Sequence, residues 1–253
     1  MARLNIKVGN QSQPNQFSIN LLSNLGRMTG LMPVIRVGGS TQYVPWICFH
    51  EWFGDLSPSL MNCRDDIVYN ASLTIPEFTD GVRVGNHRPL IYVGPSFFSS
   101  YNTFPNTRYI PGINLAINGT AGISSRKAQV ELTCKSLGDS LLMFEVGNEP
   151  DHFISYFRRP TNWTIEQYVE EWLEASQLVL EETSRACPQI SRRSPGFFAP
   201  SFGGTDLGQP FSALTAFQNG QLSMHDIMQI SIHKYVFHLS TDPNQQREFA
   251  CRC

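Results

Sequence analysis

Short and almost continuous apolar runs recur along this chain, and each ends in a small or polar residue. The runs lie at residues 32–37, 90–93, 109–117, 141–146, 196–202 and 228–232. Runs of this length are typical of strands that are buried on both faces, as in a parallel sheet covered by helices. The sequence therefore predicts a core built around a parallel sheet.

Helical patterns separate these runs. Residues 17–29 place apolar side chains on one stripe, and Gly30 can end that helix. Residues 164–185 form the clearest helix, because Thr164 and Gln167 make a capping-box pattern at its start. The alternation of strand and helix predicts an α/β fold, and we favour part of a (β/α)8 TIM barrel. A doubly wound sheet is the alternative, although no Gly-x-Gly-x-x-Gly or Walker-type loop favours it.

Charge and composition argue against several classes of partner. The net charge of −2 and the isoelectric point of about 6.3 favour neither nucleic acid nor an anionic membrane surface. No apolar run approaches the roughly 20 residues that span a bilayer, and residues 1–9 show no signal peptide. Four N-glycosylation sequons nevertheless predict a secreted protein, with acceptors at Asn10, Asn70, Asn118 and Asn162.

The most informative segment is residues 141–150, where a buried strand delivers Asn148 and Glu149 at its carboxyl end and Pro150 stops it. In a barrel, that end of the strand carries catalytic residues. A glycosidase needs a carboxylic acid that protonates the leaving oxygen, and it benefits from a donor to the sugar 2-hydroxyl. We therefore predict Glu149 as a general acid/base and Asn148 as a substrate contact. The structural alternative is a capping Asn beside a solvated Glu in a turn.

Two other strand ends carry charged or titratable side chains. Arg36 lies inside an apolar run, where an unpaired guanidinium would be costly. We expect it to pair with a carboxylate, either at the barrel top or in a purely structural ion pair. His233 and Tyr235 end the last apolar run and can contact a sugar or orient the acid, although a histidine at such a position is more often structural.

The remaining polar positions give weaker signals. Asn114 and Ser201 occupy comparable strand ends and are weaker candidates for the site. The six cysteines contain no Cys-x-x-Cys pair, and His50-Glu51 lacks the second histidine of a zincin motif. The sequence predicts neither a metal site nor a cofactor.

Several of these segments, taken in order, resemble the fungal β-glucuronidase-like enzymes of glycoside hydrolase family 79. The similar segments are residues 13–22, 35–39, 93–98, 144–151, 198–202 and 231–235. The resemblance implies a (β/α)8 barrel with an accessory β-sandwich, retaining hydrolysis of β-linked glucuronides, and an extracellular location. It implies that Glu149 is the acid/base and that Asn148 contacts the 2-hydroxyl. It also implies that the segment of His233 and Tyr235 lines the sugar subsite, and that the partner is a glucuronide-bearing glycan.

Three stretches depart from the family pattern. Residues 1–9 offer at most a remnant of the first barrel strand, residues 43–64 are an insert, and residues 236–253 form a tail where further strands are expected. We interpret the insert and the tail as retained introns or a faulty gene model, which sequencing of the transcript across codons 40–70 tests. On that interpretation four of the six cysteines are artefacts, and Cys134 and Cys187 remain as a disulfide pair.

The family's second carboxylate, the nucleophile, is not recognisable in this chain. We therefore expect residues 1–253 to form an incomplete barrel, without part of the first strand and without the last strands, that is inactive as it stands. Two alternatives stay open. One is a heparanase-like or other retaining endoglycosidase of the same barrel type, and the other is a non-catalytic carbohydrate-binding remnant.

Overall fold

The computed structural model describes residues 15–38, 66–69, 77–78, 90–93, 97–98, 100–155, 158–191, 195–204, 210–223 and 227–233. The predicted insert at residues 43–64 and the predicted tail at residues 236–253 lie outside these residues. Tyr235 and the predicted glycan acceptors Asn10 and Asn70 lie outside them as well.

Strands and helices alternate along most of the described chain. The strands are β1 (Val34–Val37), β2 (Asp66–Tyr69), β3 (Glu77–Phe78), β4 (Leu90–Val93), β5 (Arg108–Ile113), β6 (Met143–Val146), β7 (Gly196–Phe202) and β8 (Ile227–Ile232). The α-helices are α1 (Gln16–Thr29), α2 (Gly119–Leu137), α3 (Ile165–Ala186), α4 (Pro188–Ser191) and α5 (Ala213–Gln218). Single 3-10 turns lie at Ser100–Thr103, Gly138–Ser140, Pro150–His152 and Gln221–Ser223.

A curled parallel sheet of five strands forms the centre of the fold, in the spatial order β1-β5-β6-β7-β8. Each step along this sheet moves in the same direction, and right-handed crossovers that step in one direction place their helices on one side. A doubly wound sheet reverses its strand order at a switch point, which these five strands do not do. The α/β prediction is confirmed, and the sheet is compatible with part of a TIM barrel.

The apolar run at residues 90–93 is a strand, but it belongs to a second sheet. There β4 pairs with β2 in parallel and with β3 antiparallel, giving the order β2-β4-β3. An apolar run predicts that a strand is present, whereas its partners are set by backbone hydrogen bonds to distant segments. The sequence therefore could not place this strand.

The two predicted helices are confirmed, and local capping explains where they begin. The side chain of Asn15 accepts a hydrogen bond from the Ser18 N–H at 3.1 Å at the start of α1. Gly30 follows the end of α1 with a φ of 77°, in the left-handed region. At the start of α3, Thr164 and Gln167 form the predicted reciprocal capping box.

Helix α3 covers the outer side of the sheet with a broad apolar face. Tyr168, Val169, Trp172 and Val179 are all buried, and the Trp172 ring lies 5.4 Å from the ring of Phe197 on β7. Burying each such large side chain stabilises the fold by about 1.5–3 kcal/mol. This packing holds β6 and β7, which carry much of the site described below.

Helix α2 was missed by the sequence pattern because much of its buried face is polar. Ser125, Arg126, Gln129 and Thr133 are buried there, so no apolar stripe at helical spacing appears. The Arg126 guanidinium donates to the Ile117 carbonyl oxygen at 3.1 Å, which ties the helix to the loop after β5. Tertiary contacts rather than apolar periodicity hold this helix in place.

A disulfide between Cys134 and Cys187 joins α2 to the residue that follows α3, with their Cα atoms 6.2 Å apart. Both cysteines are fully buried. Within the described part of the chain, no helix combines the length and the apolar character that a bilayer crossing requires.

Candidate active site

Glu149 lies just beyond β6, at the edge where the carboxyl ends of the parallel strands meet. Gly147 has a φ of 83°, and a Cβ atom there would approach Leu115 at 3.2 Å, so glycine suits this turn out of the strand. Glu149 itself has a φ of 48°, and its N–H donates to the carbonyl oxygen of Ser201 at 2.8 Å. Ser201, on β7, has a φ of 63°. Left-handed backbone at non-glycine residues costs on the order of 1–3 kcal/mol and clusters at functional sites.

The imidazole of His233 contacts the carboxyl group of Glu149. Nδ1 of His233 lies 3.0 Å from Oε1 of Glu149, and the two side chains are only 16% and 6% exposed. Burial lowers the pKa of His233, but the carboxylates of Glu145 and Glu149 outweigh burial, with Arg36 opposing them, so the pKa lies above its usual value. The raised pKa favours a proton on the imidazole, and across this contact Nδ1 of His233 and the Glu149 carboxyl group can share that proton.

Arg36 enters the same site from β1. Its Nε donates to Oε2 of Glu145 on β6, and its Nη2 donates to Oδ1 of Asn148 at 2.5 Å. The side chain of Arg36 is 18% exposed, whereas that of Glu145 is completely buried. The structure thus pairs Arg36 with a carboxylate at the carboxyl edge of the sheet, as its position in an apolar run predicted.

Asn148 presents a hydrogen-bond donor that the described residues leave unused. The residue is 2% exposed, and its Nδ2 has no hydrogen-bond partner among the described residues. Because a guanidinium can only donate, Arg36 requires the amide oxygen to face it, which turns the NH2 group the other way. Buried donors without a partner are rare in folded proteins and call for an explanation such as a ligand.

Asp151 holds the backbone that follows β7 against the strand end of β6. Its two carboxylate oxygens accept hydrogen bonds from the N–H groups of Gly203 and Gly204 at 2.9 and 2.8 Å. A Cβ atom at Gly203 would lie 2.7 Å from Nε2 of His152 and 3.0 Å from Cγ of Glu149. Glycine at position 203 therefore permits the close approach of this backbone to Glu149.

The structure brings together Arg36, Asn148, Glu149 and His233, which the sequence predicted from three different strands. Asn114 is used differently, since its Oδ1 accepts hydrogen bonds from the N–H groups of Ala116 at 2.8 Å and Ile117 at 3.3 Å. This geometry assigns the amide oxygen to the local loop, and a contact between Asn114 and substrate stays a prediction.

Sequence reasoning missed Glu145 and Asp151. Glu145 interrupts the apolar run of β6 just as Arg36 interrupts that of β1, and two opposite charges inside buried strands are a signal for an ion pair. Asp151 gave no comparable signal, because its partners are backbone N–H groups 52 and 53 residues further along the chain. Ser201, a weaker candidate, donates its hydroxyl to Oε1 of Glu145 at 2.5 Å.

The predicted glycan acceptors Asn118 and Asn162 are both exposed. Asn118 is the N-cap of α2 and its side chain makes no capping hydrogen bond. Asn162 lies in the turn before α3. Both side chains are therefore open to solvent, and their glycosylation stays a prediction.

The arrangement suits proton transfer to or from a bound molecule. Glu149 and His233 form a proton-sharing pair, and Asn148 adds a donor beside them. The two other carboxylates described here are engaged, Glu145 by Arg36 and Ser201 and Asp151 by backbone N–H groups. The described residues contain no cluster of three or more His, Cys, Asp or Glu side chains that could hold a metal ion.

Two fungal proteins are similar to this chain over most of its length. No protein-family model matches the chain. The chain is 37% identical over 237 residues to a β-glucuronidase of Neurospora crassa and 35% identical over 233 residues to a β-glucuronidase of Aspergillus niger. Each match covers 90% of this chain and 38% of the relative, so the chain spans about two fifths of the length of these relatives. The predicted resemblance to fungal β-glucuronidase-like proteins is confirmed.

Proposed function

We propose that this β-glucuronidase-like chain carries the acid/base half of a retaining glycosidase site for β-linked glucuronides, with Glu149 as the general acid/base. The contact between the carboxyl group of Glu149 and Nδ1 of His233 at 3.0 Å, at the carboxyl edge of the parallel sheet, carries this proposal. The similarity to two fungal β-glucuronidases supports the same chemistry.

In the first step, Glu149 donates a proton to the glycosidic oxygen as that oxygen leaves the anomeric carbon, and a nucleophilic carboxylate outside the described residues bonds to that carbon. In the second step, the Glu149 carboxylate removes a proton from water, which attacks the anomeric carbon and displaces the nucleophile. His233 supports both steps, because its Nδ1 can return a proton to Glu149 or stabilise the carboxylate between turnovers. The unused Nδ2 of Asn148 supports a contact with the 2-hydroxyl, whose hydrogen bond strengthens in the transition state.

Support for an anionic sugar comes from the two similar fungal β-glucuronidases and from the guanidinium that Arg36 brings into the site. Glu149 and His233 share one proton across their contact, and Arg36 is paired with the carboxylate of Glu145, so these four groups carry no excess charge. A glucuronide carries one carboxylate, which the partly exposed guanidinium of Arg36 can attract.

A retaining mechanism also needs a nucleophilic carboxylate about 5 Å from the acid/base. Glu145 does not suit that role, because it is completely buried and its oxygens are held by Arg36 and Ser201. Asp151 is held by two backbone N–H groups. We therefore assign the nucleophile to none of the carboxylates in the described part of the chain.

Binding and turnover are measured separately to test this proposal. Isothermal titration compares phenyl β-D-glucuronide with phenyl β-D-glucoside, and we expect the glucuronide to bind at least several-fold more tightly. Hydrolysis is followed with phenyl and 4-nitrophenyl β-D-glucuronide in the wild type and in Glu149→Gln. Loss of an acid costs roughly 10²–10⁴-fold with the poor phenol leaving group, and much less with 4-nitrophenol, which leaves without a proton.

The control variant is Glu174→Gln, which changes an exposed carboxylate on α3 and should leave both measurements unchanged. Equal binding of glucoside and glucuronide would remove the substrate assignment. Equal loss of activity with both leaving groups in Glu149→Gln would remove Glu149 from the acid role. Binding without any turnover would identify the chain as a carbohydrate-binding half-site.

We also propose that the protein is secreted and carries N-glycans at Asn118 and Asn162. The exposure of both side chains supports this assignment. Expression through a eukaryotic secretory pathway, followed by enzymatic removal of N-glycans, should lower the mass of each glycosylated peptide by one glycan. Unmodified peptides at both positions would contradict the proposal.

A further inference from the structure

A completely buried carboxylate lies at the centre of the site and has no part in the proposed proton transfer. Glu145 sits on β6 with no exposed surface, and it contacts groups from β1, β7 and β8 and from the residue after β8. A buried charge is costly unless several partners compensate for it. Because so many partners converge on Glu145, we looked for a role of this carboxylate in arranging the site.

We propose that Glu145 is a positioning residue, which fixes the direction of the Asn148 amide through Arg36 and holds the imidazole of His233 in line with Glu149. The consequence for ligand binding rests on the proposed function, whereas the positioning itself does not.

The first link runs through the guanidinium of Arg36. One of its nitrogens, Nε, is held by Oε2 of Glu145, and a second, Nη2, donates to Oδ1 of Asn148 at 2.5 Å. The guanidinium is planar and rigid, so holding one nitrogen fixes the direction of the other. Because Arg36 has no acceptor, the Asn148 oxygen must face it and the unused Nδ2 must point away.

The second link runs through the other oxygen of Glu145. Oε1 accepts from the Ser201 hydroxyl at 2.5 Å, lies 3.5 Å from Oγ of Ser231, and lies 3.6 Å from Nε2 of His233. The last distance is too long for a hydrogen bond, and Nε2 has no hydrogen-bond partner in the described part of the chain. The attraction is therefore electrostatic, and the imidazole ring lies between Glu145 on one side and Glu149 on the other.

The charged groups that face His233 are Arg36 from β1, Glu145 from β6 and Glu149 from the loop after β6. Ser201 and Ser231 contribute only neutral hydroxyl groups from β7 and β8. Removing the charge of Glu145 leaves Arg36 without its carboxylate and leaves His233 with Glu149 alone. The Asn148 amide and the His233 imidazole should then no longer be held in one orientation.

The test replaces Glu145 by its neutral isostere in the full chain of 253 residues. Glu145→Gln is compared with Glu182→Gln, a matched control in which a buried glutamate on α3 loses its ion pair with Arg185. Nuclear magnetic resonance follows the pH titration of the His233 ring and the side-chain amide signals of Asn148. Isothermal titration with phenyl β-D-glucuronide measures the dissociation constant.

In Glu145→Gln we expect the pKa of His233 to fall and the Asn148 amide signals to shift, while Glu182→Gln changes neither. The dissociation constant should rise about 3–10-fold, which corresponds to the loss of one well-placed hydrogen bond. A merely structural role for Glu145 would lower stability in both variants without moving these two signals.

Arg36→Lys is a second test variant, for use if Glu145→Gln does not fold. It keeps the positive charge and removes the rigid guanidinium. A lysine has one nitrogen and cannot fix both partners in one plane, so the Asn148 amide signals should shift. Unchanged Asn148 signals in that variant, or unchanged His233 and Asn148 signals in a folded Glu145→Gln, would overturn the positioning role. If the signals shift in Glu145→Gln but the wild-type chain binds no glucuronide, the positioning role is supported and the proposed function is rejected.

Discussion

Removal of the buried disulfide should destabilise the fold by an amount that follows from its position in the chain. Cys134 and Cys187 are 53 residues apart, and they join α2 to the end of α3. A cross-link of that span restricts the unfolded chain by about 4 kcal/mol in the loop-entropy account. For a chain of this size, each kcal/mol changes the melting temperature by about 2–4 °C, so we expect a loss of roughly 8–16 °C.

The measurement compares thermal unfolding of the wild type with that of Cys134→Ala/Cys187→Ala, each with and without a thiol reductant. The wild type should lose stability on reduction, and the double variant should be less sensitive because this bond is already gone. Peptide mapping of the non-reduced wild type should recover the Cys134–Cys187 cross-linked fragment. Equal melting temperatures for the oxidised wild type and the double variant, with that fragment present, would refute the reasoning.

Three further perturbations probe the packing and the charges around the site. Arg159→Met removes a buried guanidinium that donates to Glu171 and to the carbonyl oxygens of the loop after β5, so urea unfolding should show a loss of about 3–5 kcal/mol; a loss below about 1 kcal/mol would contradict that role. Gly203→Ala places a Cβ atom 3.0 Å from Cγ of Glu149, so we expect about 1–3 kcal/mol of destabilisation and a shifted Glu149 in a crystal structure; an unmoved Glu149 at full stability would speak against the close approach. Because the pKa of His233 is raised in the folded state, the protonated imidazole stabilises the fold fully below pH 6.5, and this stabilisation is lost as pH rises through the folded pKa. The difference in unfolding free energy between the wild type and His233→Gln should therefore shrink above pH 6.5. A difference that grows with pH would contradict the raised pKa.

The strands were predictable because a strand that is buried on both faces has an almost continuous apolar sequence. The runs at residues 32–37, 141–146, 196–202 and 228–232 all became strands of the parallel sheet, within a residue or two of the predicted limits. Helix α2 was not predictable in this way, because its buried side chains include Arg126 and Gln129. Their cost of burial is offset by hydrogen bonds to the loop after β5, which no local pattern reveals.

The positions of the site residues were predictable from the sequence, whereas their contacts were not. The position of Asn148 and Glu149 follows from an apolar strand that stops before Gly147. The position of Arg36 in an apolar run predicted a carboxylate partner. The partner is Glu145, 109 residues away in the sequence. Only the sheet order identifies it, because that order places β1 two strands from β6. The contact between Glu149 and His233 likewise spans 84 residues.

The sequence by itself determined which residues end at the carboxyl edge of a buried parallel sheet, because side-chain burial and backbone turns are local properties. The tertiary structure decided which of those residues meet, and it supplied the positioning groups Glu145 and Asp151. Strand order and register are set by hydrogen bonds between segments far apart in the chain. Ion pairs and shared protons at the site depend on that order, so they could be read only from the folded chain.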